Sequence, residues 1–368
     1  MPRPELSLNF NPQSPFPVLF KEMRGFLGGV VAGTLSSIVA FGSYKILFGE
    51  DKPDLGQQDT GDKQVSPFHR DVLKYGSPDQ GPSVRYYGNH VLSYNQAHKI
   101  PNWVIEKISA ENTKGKANRK NVKFKPDPGV EELFTASNSD YLGSGWSRGH
   151  MAPAGDNKHD EQHMAETFYL SNILPQNLDN NAGFWNRFEI YCRKLTEKYP
   201  NVRIYSGPLF IAKRNEEDGK KYVKYEVIGQ NEVAVPTHLF KIVIVENAKN
   251  NPVAMGTFIV PNEPISFQHH LKEFQVPLMD LERRAGARFL PKMNVNHVQD
   301  LCQVETCDLM KKTEFDLYFI GRRINNATNL NQLQKAWNEL SQKSLEPDEY
   351  IKRKYKEKYD ELSKKEGG

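Results

Sequence analysis

Two neighbouring stretches decide the fold of this chain: YLGSGWSRGHMAPAGDN at residues 141–157 and SNILPQNLDNNAGFWNRFE at residues 171–189. Four glycines in the first stretch indicate a loop-like backbone around His150. In the second, apolar residues begin to recur at helical spacing and continue to a proline at position 200, which predicts a helix over residues 183–199. The catalytic or binding chemistry is therefore expected between these two stretches.

A serine hydrolase is one chemistry that the first stretch could carry. Residues 145–149, GWSRG, match the pattern G-x-S-x-G, which requires a strand before the serine and a helix directly after it. Pro153 and Gly155 follow too closely for a helix to form there. The sequence therefore disfavours a nucleophilic Ser147.

A zinc protease is a second alternative, since His159 and His163 are spaced as two ligands on one helix face. The zinc motif needs glutamate directly after the first histidine, but residue 160 is aspartate and Glu161 comes one position late. The pattern favours an exposed helical pair of histidines over a metal site.

Phosphodiester cleavage is the third alternative and the one that we favour. It needs a base to activate water, a hard cation, and positive charge near the phosphate. His150 is suited to be the base because its pKa normally lies near neutrality. Arg148 offers a planar donor for phosphate. Asn181 or Asn172 offers the amide oxygen that Mg²⁺ accepts while it keeps most of its waters.

A basic segment precedes these stretches. Residues 114–125, KGKANRKNVKFK, contain six basic residues and no acid. Beside a phosphodiester site, such a run predicts an edge that contacts phosphates. The nucleic-acid-binding residues predicted here and nearby are Arg119, Lys120, Lys123 and Lys158.

The amino-terminal region predicts a membrane anchor. Residues 26–44 form an uncharged run of 19 residues, which as a helix would span about one hydrocarbon core. We expect an uncleaved single-pass anchor through residues 26–48, with a cleaved targeting segment as the main alternative. The predicted organisation is an anchor at 1–50, a linker at 51–80, a core at 81–295 and a helical appendage at 296–368.

Composition sets weaker bounds. The formal net charge is +4 and the pI is about 8.7, which permits nucleic-acid binding without arguing for it. The chain has three cysteines, an odd and low count that argues against a disulfide scaffold and offers no zinc cluster. We predict that all three are structural thiols.

The remaining patterns predict an α+β fold. Strands are expected at residues 203–210, 238–246 and 252–261, within a mainly antiparallel sheet that helices cover. The catalytic motif should lie on a β-hairpin that leads into the helix over 183–199. Two apolar stripes at helical spacing predict the appendage. Their members are Leu330, Leu333, Trp337 and Leu340, then Ile351, Tyr355, Tyr359 and Leu362.

Residues 147–150, SRGH, resemble the D-R-G-H signature of the DNA/RNA non-specific endonucleases. Residues 172–189 are similar to the metal-binding helix of that family, and the resemblance covers about residues 85–345. It implies a ββα-metal (His-Me finger) nuclease core. Residues 143–155, GSGWSRGHMAPAG, resemble in particular the mitochondrial exo/endonuclease branch of the family.

The resemblance implies a role for each catalytic residue. His150 would deprotonate the attacking water, and Asn181 would be the only direct protein ligand to the cation. Glu189 would reach that cation through water, and Asn172 would orient His150 or the phosphate.

The resemblance also implies how phosphates and substrate are held. Arg148 and Arg119 would hold the scissile or a neighbouring phosphate. Ser147, also assigned to nucleic-acid binding, departs from the family, which mostly has aspartate there; this puts in doubt how strongly the enzyme cuts internally. The expected cofactor is Mg²⁺, with Mn²⁺ as a substitute. The expected substrate is single- or double-stranded DNA, with RNA left open.

The biological setting is also implied by the resemblance. It is a homodimer at the mitochondrial inner membrane, which cuts mainly 5′ to 3′ with some internal cutting, in mitochondrial DNA repair or degradation. A membrane-tethered nucleic-acid-binding protein without catalysis is the competing hypothesis. The presence of His150, Asn181 and Glu189 together argues against it.

Overall fold

The computed structural model describes residues 65–81 and 83–366. The anchor predicted through residues 26–48 therefore lies outside the described residues. Over the ranges that are described, no helix is both long enough and apolar enough to cross a membrane.

The centre of the described part is a sheet of seven strands. In chain order, the strands of the protein are β1 (Val84–Tyr86), β2 (His90–Asn95), β3 (Ile100–Ile108), β4 (Ser147–His150), β5 (Ile173–Gln176), β6 (Asn201–Leu209), β7 (Lys213–Arg214), β8 (Lys221–Tyr222), β9 (Val227–Ile228), β10 (Val233–Ala234), β11 (His238–Glu246), β12 (Pro252–Pro261) and β13 (Gln299–Asp300). The spatial order in the large sheet is β1-β2-β3-β6-β11-β12-β13, and the only parallel pair among these is β12 with β13. The three predicted strands are confirmed as β6, β11 and β12.

Both faces of the sheet are covered by apolar side chains. Val104 and Val243 belong to one buried cluster, while their neighbours Ile105 and Ile242 belong to a second. Successive residues of a strand point to opposite faces, so these two clusters lie on opposite sides of the sheet. This explains why β11 reads as an almost continuous apolar run and not as an alternating one.

The helices are α1 (Pro67–Val72), α2 (Asn138–Tyr141), α3 (Glu161–Glu166), α4 (Leu178–Asn180), α5 (Asn186–Leu195), α6 (Leu278–Ala285), α7 (Leu301–Val304), α8 (Lys312–Asn325), α9 (Leu330–Gln342) and α10 (Glu349–Glu366). The helix predicted over 183–199 starts earlier and ends earlier than expected. A π-helical turn, Asn181–Trp185, joins α4 to α5. The start is set by Asn177, whose side chain accepts a hydrogen bond from the Asn180 backbone N–H at 3.0 Å.

The linker predicted over residues 51–80 is wrong for residues 65–80. Helix α1 lies there, and its Val72 is fully buried, as is the ring of Tyr75 that follows. The buried guanidinium of Arg203 donates to the backbone oxygens of Asp71 and Val72 and pairs with Glu246 at 3.1 Å. Such a buried charge needs these partners, so α1 is part of the core.

The prediction of three structural thiols is wrong for two of the cysteines. Cys302 and Cys307 form a disulfide, whereas Cys192 is free and buried. The turn between the paired cysteines places Cys307 at a φ of +52°, and their Cα atoms lie 5.1 Å apart. Sequence spacing alone gives no signal for such a turn, because the left-handed region is unusual for cysteine.

The three C-terminal helices have an apolar cluster of their own. The buried residues of this cluster include Ile320, Ile324, Leu333, Leu340, Ile351 and Leu362. Both predicted stripes contribute to it from α9 and α10. Helix α8, which the sequence analysis did not predict, supplies Ile320 and Ile324.

The buried His90 gives a prediction for stability against pH. Its ring stacks on Tyr87 at 4.6 Å, and neither ring nitrogen has a hydrogen-bond partner in the described part of the chain. Burial, with smaller contributions from His163 and His69, lowers the pKa of His90 to about 3. In the unfolded chain, His90 binds a proton as the pH falls through about 6.5, whereas in the folded chain it stays neutral down to about pH 3. The free energy of unfolding therefore decreases as the pH falls below about 6.5. At pH 5 the loss from one such group is about 2 kcal/mol.

The measurement is the free energy of unfolding by urea at pH 7 and at pH 5. His90→Gln should shrink the difference between the two pH values by about 2 kcal/mol. His297→Gln, at an exposed histidine, should leave the difference unchanged. An unchanged difference in His90→Gln would show that His90 protonates normally in the folded state.

Candidate active site

The catalytic hairpin pairs β4 with β5. Ser147 lies opposite Gln176 at one end, and His150 lies opposite Ile173 at the other. Gly149 is required between them, because a Cβ there would lie 2.2 Å from Oε1 of Gln176. The expected hairpin is present, and it leads into α4, the π-helical turn and α5. A nucleophilic-serine geometry is absent from this hairpin, since Ser147 starts a strand and no helix follows it.

His150 is half-buried in an aromatic environment. Its ring lies 5.2 Å from that of Phe124 and 4.9 Å, edge to face, from that of Phe168. Nε2 is buried without a hydrogen-bond partner among residues 65–81 and 83–366. Burial, then the positive charges of Arg119 and Arg148, lower the pKa of His150 to about 3. The imidazole is therefore neutral at pH 7 and able to accept a proton, and an anionic phosphate beside the two arginines would raise its pKa.

Asn172 holds the backbone that follows His150. Its side-chain oxygen accepts from the Ala152 N–H at 3.0 Å, and its side-chain nitrogen donates to the carbonyl oxygens of Ala152 and Thr167 at 2.9 and 2.8 Å. The side chain is fully buried. These contacts fix the backbone two residues after His150 and use both side-chain N–H groups of Asn172, so that its amide has no donor left for a phosphate.

Asn181 lies at the start of the π-helical turn, across from Ser147. Its Nδ2 donates to Ser147 Oγ at 3.0 Å, and Ser147 Oγ donates to the Gln176 carbonyl oxygen at 2.7 Å. The Asn181 Oδ1 atom has no partner within the described chain. An amide held by its nitrogen presents its oxygen, which is the atom that Mg²⁺ would bind.

Glu189 lies on α5 and faces the same cavity as Asn181. Its neighbour Phe188 is fully buried in the core, so the helix places one residue in the core and the next in the cavity. Burial raises the pKa of Glu189 to about 7, against the lowering influence of Arg193 and Lys241. A cation in the cavity would favour the carboxylate form.

With the exception of the buried Asn172, these side chains meet in one cavity of about 240 Å³. Of the predicted residues, it is lined by His150, Arg148, Arg119, Asn181 and Glu189. The guanidinium of Arg148 lies over the Phe124 ring at 4.7 Å and donates to Asn138 Oδ1. Arg119 lies over Phe168 at 5.8 Å. Phe124 and Phe168, whose rings pack on His150, therefore each also contact one of the two arginines.

The other predicted contact residues lie elsewhere. Ser147 is behind Asn181, and its hydroxyl is already used in two hydrogen bonds, so it is not placed to contact nucleic acid directly. Lys120 and Lys123 are exposed and do not line the cavity. Lys158 is half-buried, and its pKa is lowered by burial and by the charges of Arg322 and Arg193.

The sequence analysis missed several residues of the cavity. Arg193 lies one helical turn after Glu189 and donates to the buried Asp156 at 2.6 Å. The spacing of four residues on a predicted helix was the available signal for Arg193. Phe319 and Arg322 come from α8, more than 120 positions after Glu189, and no local pattern connects them to the site.

Comparisons with known proteins identify the family of this chain. Residues 69–296 match the model of the DNA/RNA non-specific endonuclease family. The chain belongs to that family. Residues 310–358 also match the model of the endo/exonuclease (EXOG) C-terminal domain, which covers most of α8, α9 and α10. The resemblance read from the motifs is therefore confirmed.

Several relatives match nearly the whole chain. The mitochondrial nuclease EXOG of Danio rerio is 48% identical over 342 residues, which cover 93% of this chain and 96% of the relative. The human mitochondrial nuclease EXOG is 45% identical over 347 residues, covering 93% of this chain and 94% of the relative. A chain of the EndoG/EndoGI complex crystal structure is 39% identical, with a TM-score of 0.61 over 64% of this chain and 96% of that one.

Membership of the DNA/RNA non-specific endonuclease family makes this chain a nuclease, and hence a hydrolase of phosphodiester bonds. The α+β fold with a largely antiparallel sheet is confirmed with it. Nuclease chemistry also removes the serine-hydrolase and zinc-protease alternatives, for which the structure supplies no matching geometry in the described residues.

Proposed function

We propose that this nuclease is an Mg²⁺-dependent enzyme that cleaves DNA mainly from a 5′ end, with weaker internal cutting. The observation that carries the proposal is the single cavity that holds a neutral histidine, an amide oxygen, a carboxylate and, within the described chain, four guanidinium groups. These are the base, the cation ligands and the phosphate contacts that phosphodiester cleavage needs.

The residues of the cavity fit a hard divalent cation. Asn181 Oδ1 would hold it directly, and Glu189 would accept hydrogen bonds from its waters. The donor set is oxygen only, which suits Mg²⁺ and also Mn²⁺. When bound, the cation supplies positive charge beside the scissile phosphate. The members of this nuclease family generally depend on a divalent metal, which also supports the proposal.

The protein's own groups supply the remaining steps. His150 takes the proton of the attacking water, and its neutral form at pH 7 leaves it free to do so. Arg148 and Arg119 bind phosphate oxygens beside His150. Arg193 and Arg322 add positive charge elsewhere in the same cavity. Asn172 fixes the backbone of the hairpin, so that His150 keeps its position through the reaction.

The exonuclease preference is supported by α8. Phe319 and Arg322 line the catalytic cavity from the C-terminal helices, where they place a ring and a cation beside the reacting phosphate. The end of a DNA strand that contacts Phe319 and Arg322 would be held at a fixed distance from His150. We therefore propose that α8 makes the enzyme act from an end, and that Arg322 contacts the terminal part of the strand.

The double variant Phe319→Ala, Arg322→Ala should shift the balance toward internal cutting. Both side chains are only half-buried, so the helix should stay folded. The measurement is the ratio of the cleavage rate on circular single-stranded DNA to that on linear DNA with a free 5′ end, which should rise at least about tenfold if one charge-assisted phosphate contact is lost. Tyr350→Ala, elsewhere on the C-terminal helices, is the control. Rapid cutting of circles by the unaltered protein would contradict the proposed mode.

The setting of the enzyme is also part of the proposal. We propose that it acts in mitochondria, in DNA repair or degradation, as a homodimer anchored to the inner membrane through residues 26–48, with a core at 65–295 and an appendage at 296–368. The mitochondrial relatives and the uncharged run at 26–44 support this. Removal of residues 1–50 should release the protein from sedimented mitochondrial membranes without loss of cleavage; continued sedimentation would contradict the anchor.

A further inference from the structure

A second cavity lies beside the catalytic hairpin and shares no lining residue with the catalytic cavity. Its volume is about 580 Å³, against about 240 Å³ for the catalytic cavity. Trp146, the residue directly before β4, forms part of its wall. Most of the remaining wall comes from residues 211–226, the segment that contains β7 and β8.

Two partly exposed tyrosine rings line the second cavity. The side chains of Tyr222 and Tyr225 line it and are 38% and 43% exposed. The ring centre of Tyr225 lies 4.8 Å from that of Phe210, and this contact holds the Tyr225 ring in place. Trp146 is fixed by a hydrogen bond from its Nε1 to Glu226 Oε2 at 3.0 Å. Rigid, exposed rings of this kind are the platforms on which unpaired nucleobases stack.

The cavity also offers positive charge. Lys213, Arg214 and Lys224 line it, together with the acids Glu217 and Glu226. Glu226 is already bound by the indole of Trp146. In the described part of the protein, neither lysine has an ion-pair partner, and Lys224 lies 5.6 Å from the ring centre of Tyr222. Two free ammonium groups beside exposed rings are suited to phosphates and bases of one strand.

The catalytic hairpin connects the two cavities. From Trp146 to His150 the chain advances four residues, which along an extended strand is about 13 Å. This length corresponds to a few nucleotides of a nucleic-acid strand. Helix α8 lines the catalytic cavity but not the second cavity. If α8 stops the 5′ end, a strand that also reaches the second cavity does so with its 3′ side.

We propose that the second cavity binds unpaired nucleotides of the substrate on the 3′ side of the scissile phosphate. Tyr222 and Tyr225 stack the bases, and Lys213 and Lys224 contact the phosphates. Paired bases hide the faces that the tyrosines need, so the cavity selects substrates that are single-stranded, or frayed, beyond the cut. The direction of the strand in this proposal rests on the proposed end-directed nuclease function.

The test measures binding in EDTA, where cleavage does not interfere. Single-stranded DNA oligonucleotides share one 5′ sequence and extend by increasing lengths on the 3′ side, and a fluorescent label reports their affinity for the full-length protein. The wild type should bind more tightly as the 3′ side lengthens, until the cavity is filled. Tyr222→Ala with Lys224→Ala should weaken binding of the longest oligonucleotide about tenfold and leave the shortest unchanged.

Two controls sharpen the result. Tyr359→Ala removes a tyrosine that is 48% exposed on α10, and it should keep the full length dependence. Lys213→Ala with Lys224→Ala should reduce the slope of log affinity against log salt by about 0.7 per lysine for the long oligonucleotide.

The proposal is overturned if the affinity of the wild type does not increase with 3′ length, or if the Tyr222→Ala, Lys224→Ala variant keeps that increase. It is also overturned if this variant loses as much affinity for oligonucleotides that are extended on the 5′ side. Cleavage of the shortest oligonucleotide with Mg²⁺ is measured separately. Its absence would contradict the proposed end-directed nuclease while leaving the binding result to be judged by itself.

Discussion

His150→Ala should lower the rate of DNA cleavage by about 10²- to 10⁴-fold, the usual contribution of a positioned general base. The structure places the imidazole in the catalytic cavity with no carboxylate partner among the described residues and with a pKa that burial and two arginines lower to about 3. In the proposed mechanism, activation of the water therefore depends on this one neutral ring. DNA affinity should change little, because phosphate contacts and not the imidazole carry it.

Single-turnover cleavage and DNA binding should be measured on the same protein preparations. His163→Ala is the matched control, since His163 lies on α3 outside the catalytic cavity and should retain the wild-type rate. A loss of both rate and binding in His150→Ala would point to a collapsed hairpin. Near wild-type turnover would show that another group is the base.

The parts of the site that lie close together in the chain were predictable. His150, Arg148 and Gly149 occupy one strand, and the helix that carries Asn181 and Glu189 begins shortly after the partner strand. The hairpin and the helix follow from local signals, namely glycines, a proline and helical spacing. Local signals of this kind also identified β6 and β11, which are nearly continuous runs of buried residues, and β12, in which half of the residues are buried.

The parts that depend on distant contacts were not predictable. The sequence around Asn172 does not indicate that its amide will form hydrogen bonds with the backbone of Ala152, because these two residues come together only once the hairpin has formed. The same holds for Ser147, whose hydroxyl is used by Asn181 34 positions later. Arg322 reaches the site from a helix that packs with two others around a separate apolar cluster, and its position follows from that packing alone.

Charge and burial explain the other missed features. The prediction of a linker up to residue 80 rested on a polar, proline- and glycine-rich composition. Burial of Val72 and Tyr75 outweighs that composition, and Arg203 adds hydrogen bonds to the end of α1. Apolar area buried by two side chains stabilises by a few kcal/mol, at about 25 cal/mol per Å², which is enough to order a short helix.

Asn181→Ala should abolish cleavage and weaken binding of the cation by more than about 100-fold, since loss of an outer-sphere partner alone costs about 10- to 100-fold. The reason is the direction of its amide. Ser147 Oγ accepts from Nδ2 at 3.0 Å, which turns the unpartnered Oδ1 of Asn181 away from the hairpin. Glu189 does not replace this oxygen, because in the proposed site it reaches the cation through water.

The measurements are the Mg²⁺ concentration for half-maximal cleavage and the direct binding of Mn²⁺ by electron paramagnetic resonance. Asn186→Ala is the matched control: Asn186 lines the same cavity with a second amide, which the proposed site does not use to bind the cation, so cation affinity should be retained. Ser147→Ala should give an intermediate result, because the amide keeps its oxygen and loses the contact that orients it. Unchanged Mn²⁺ binding in Asn181→Ala would move the direct ligand to another residue of the cavity, with Glu189 as the first to test.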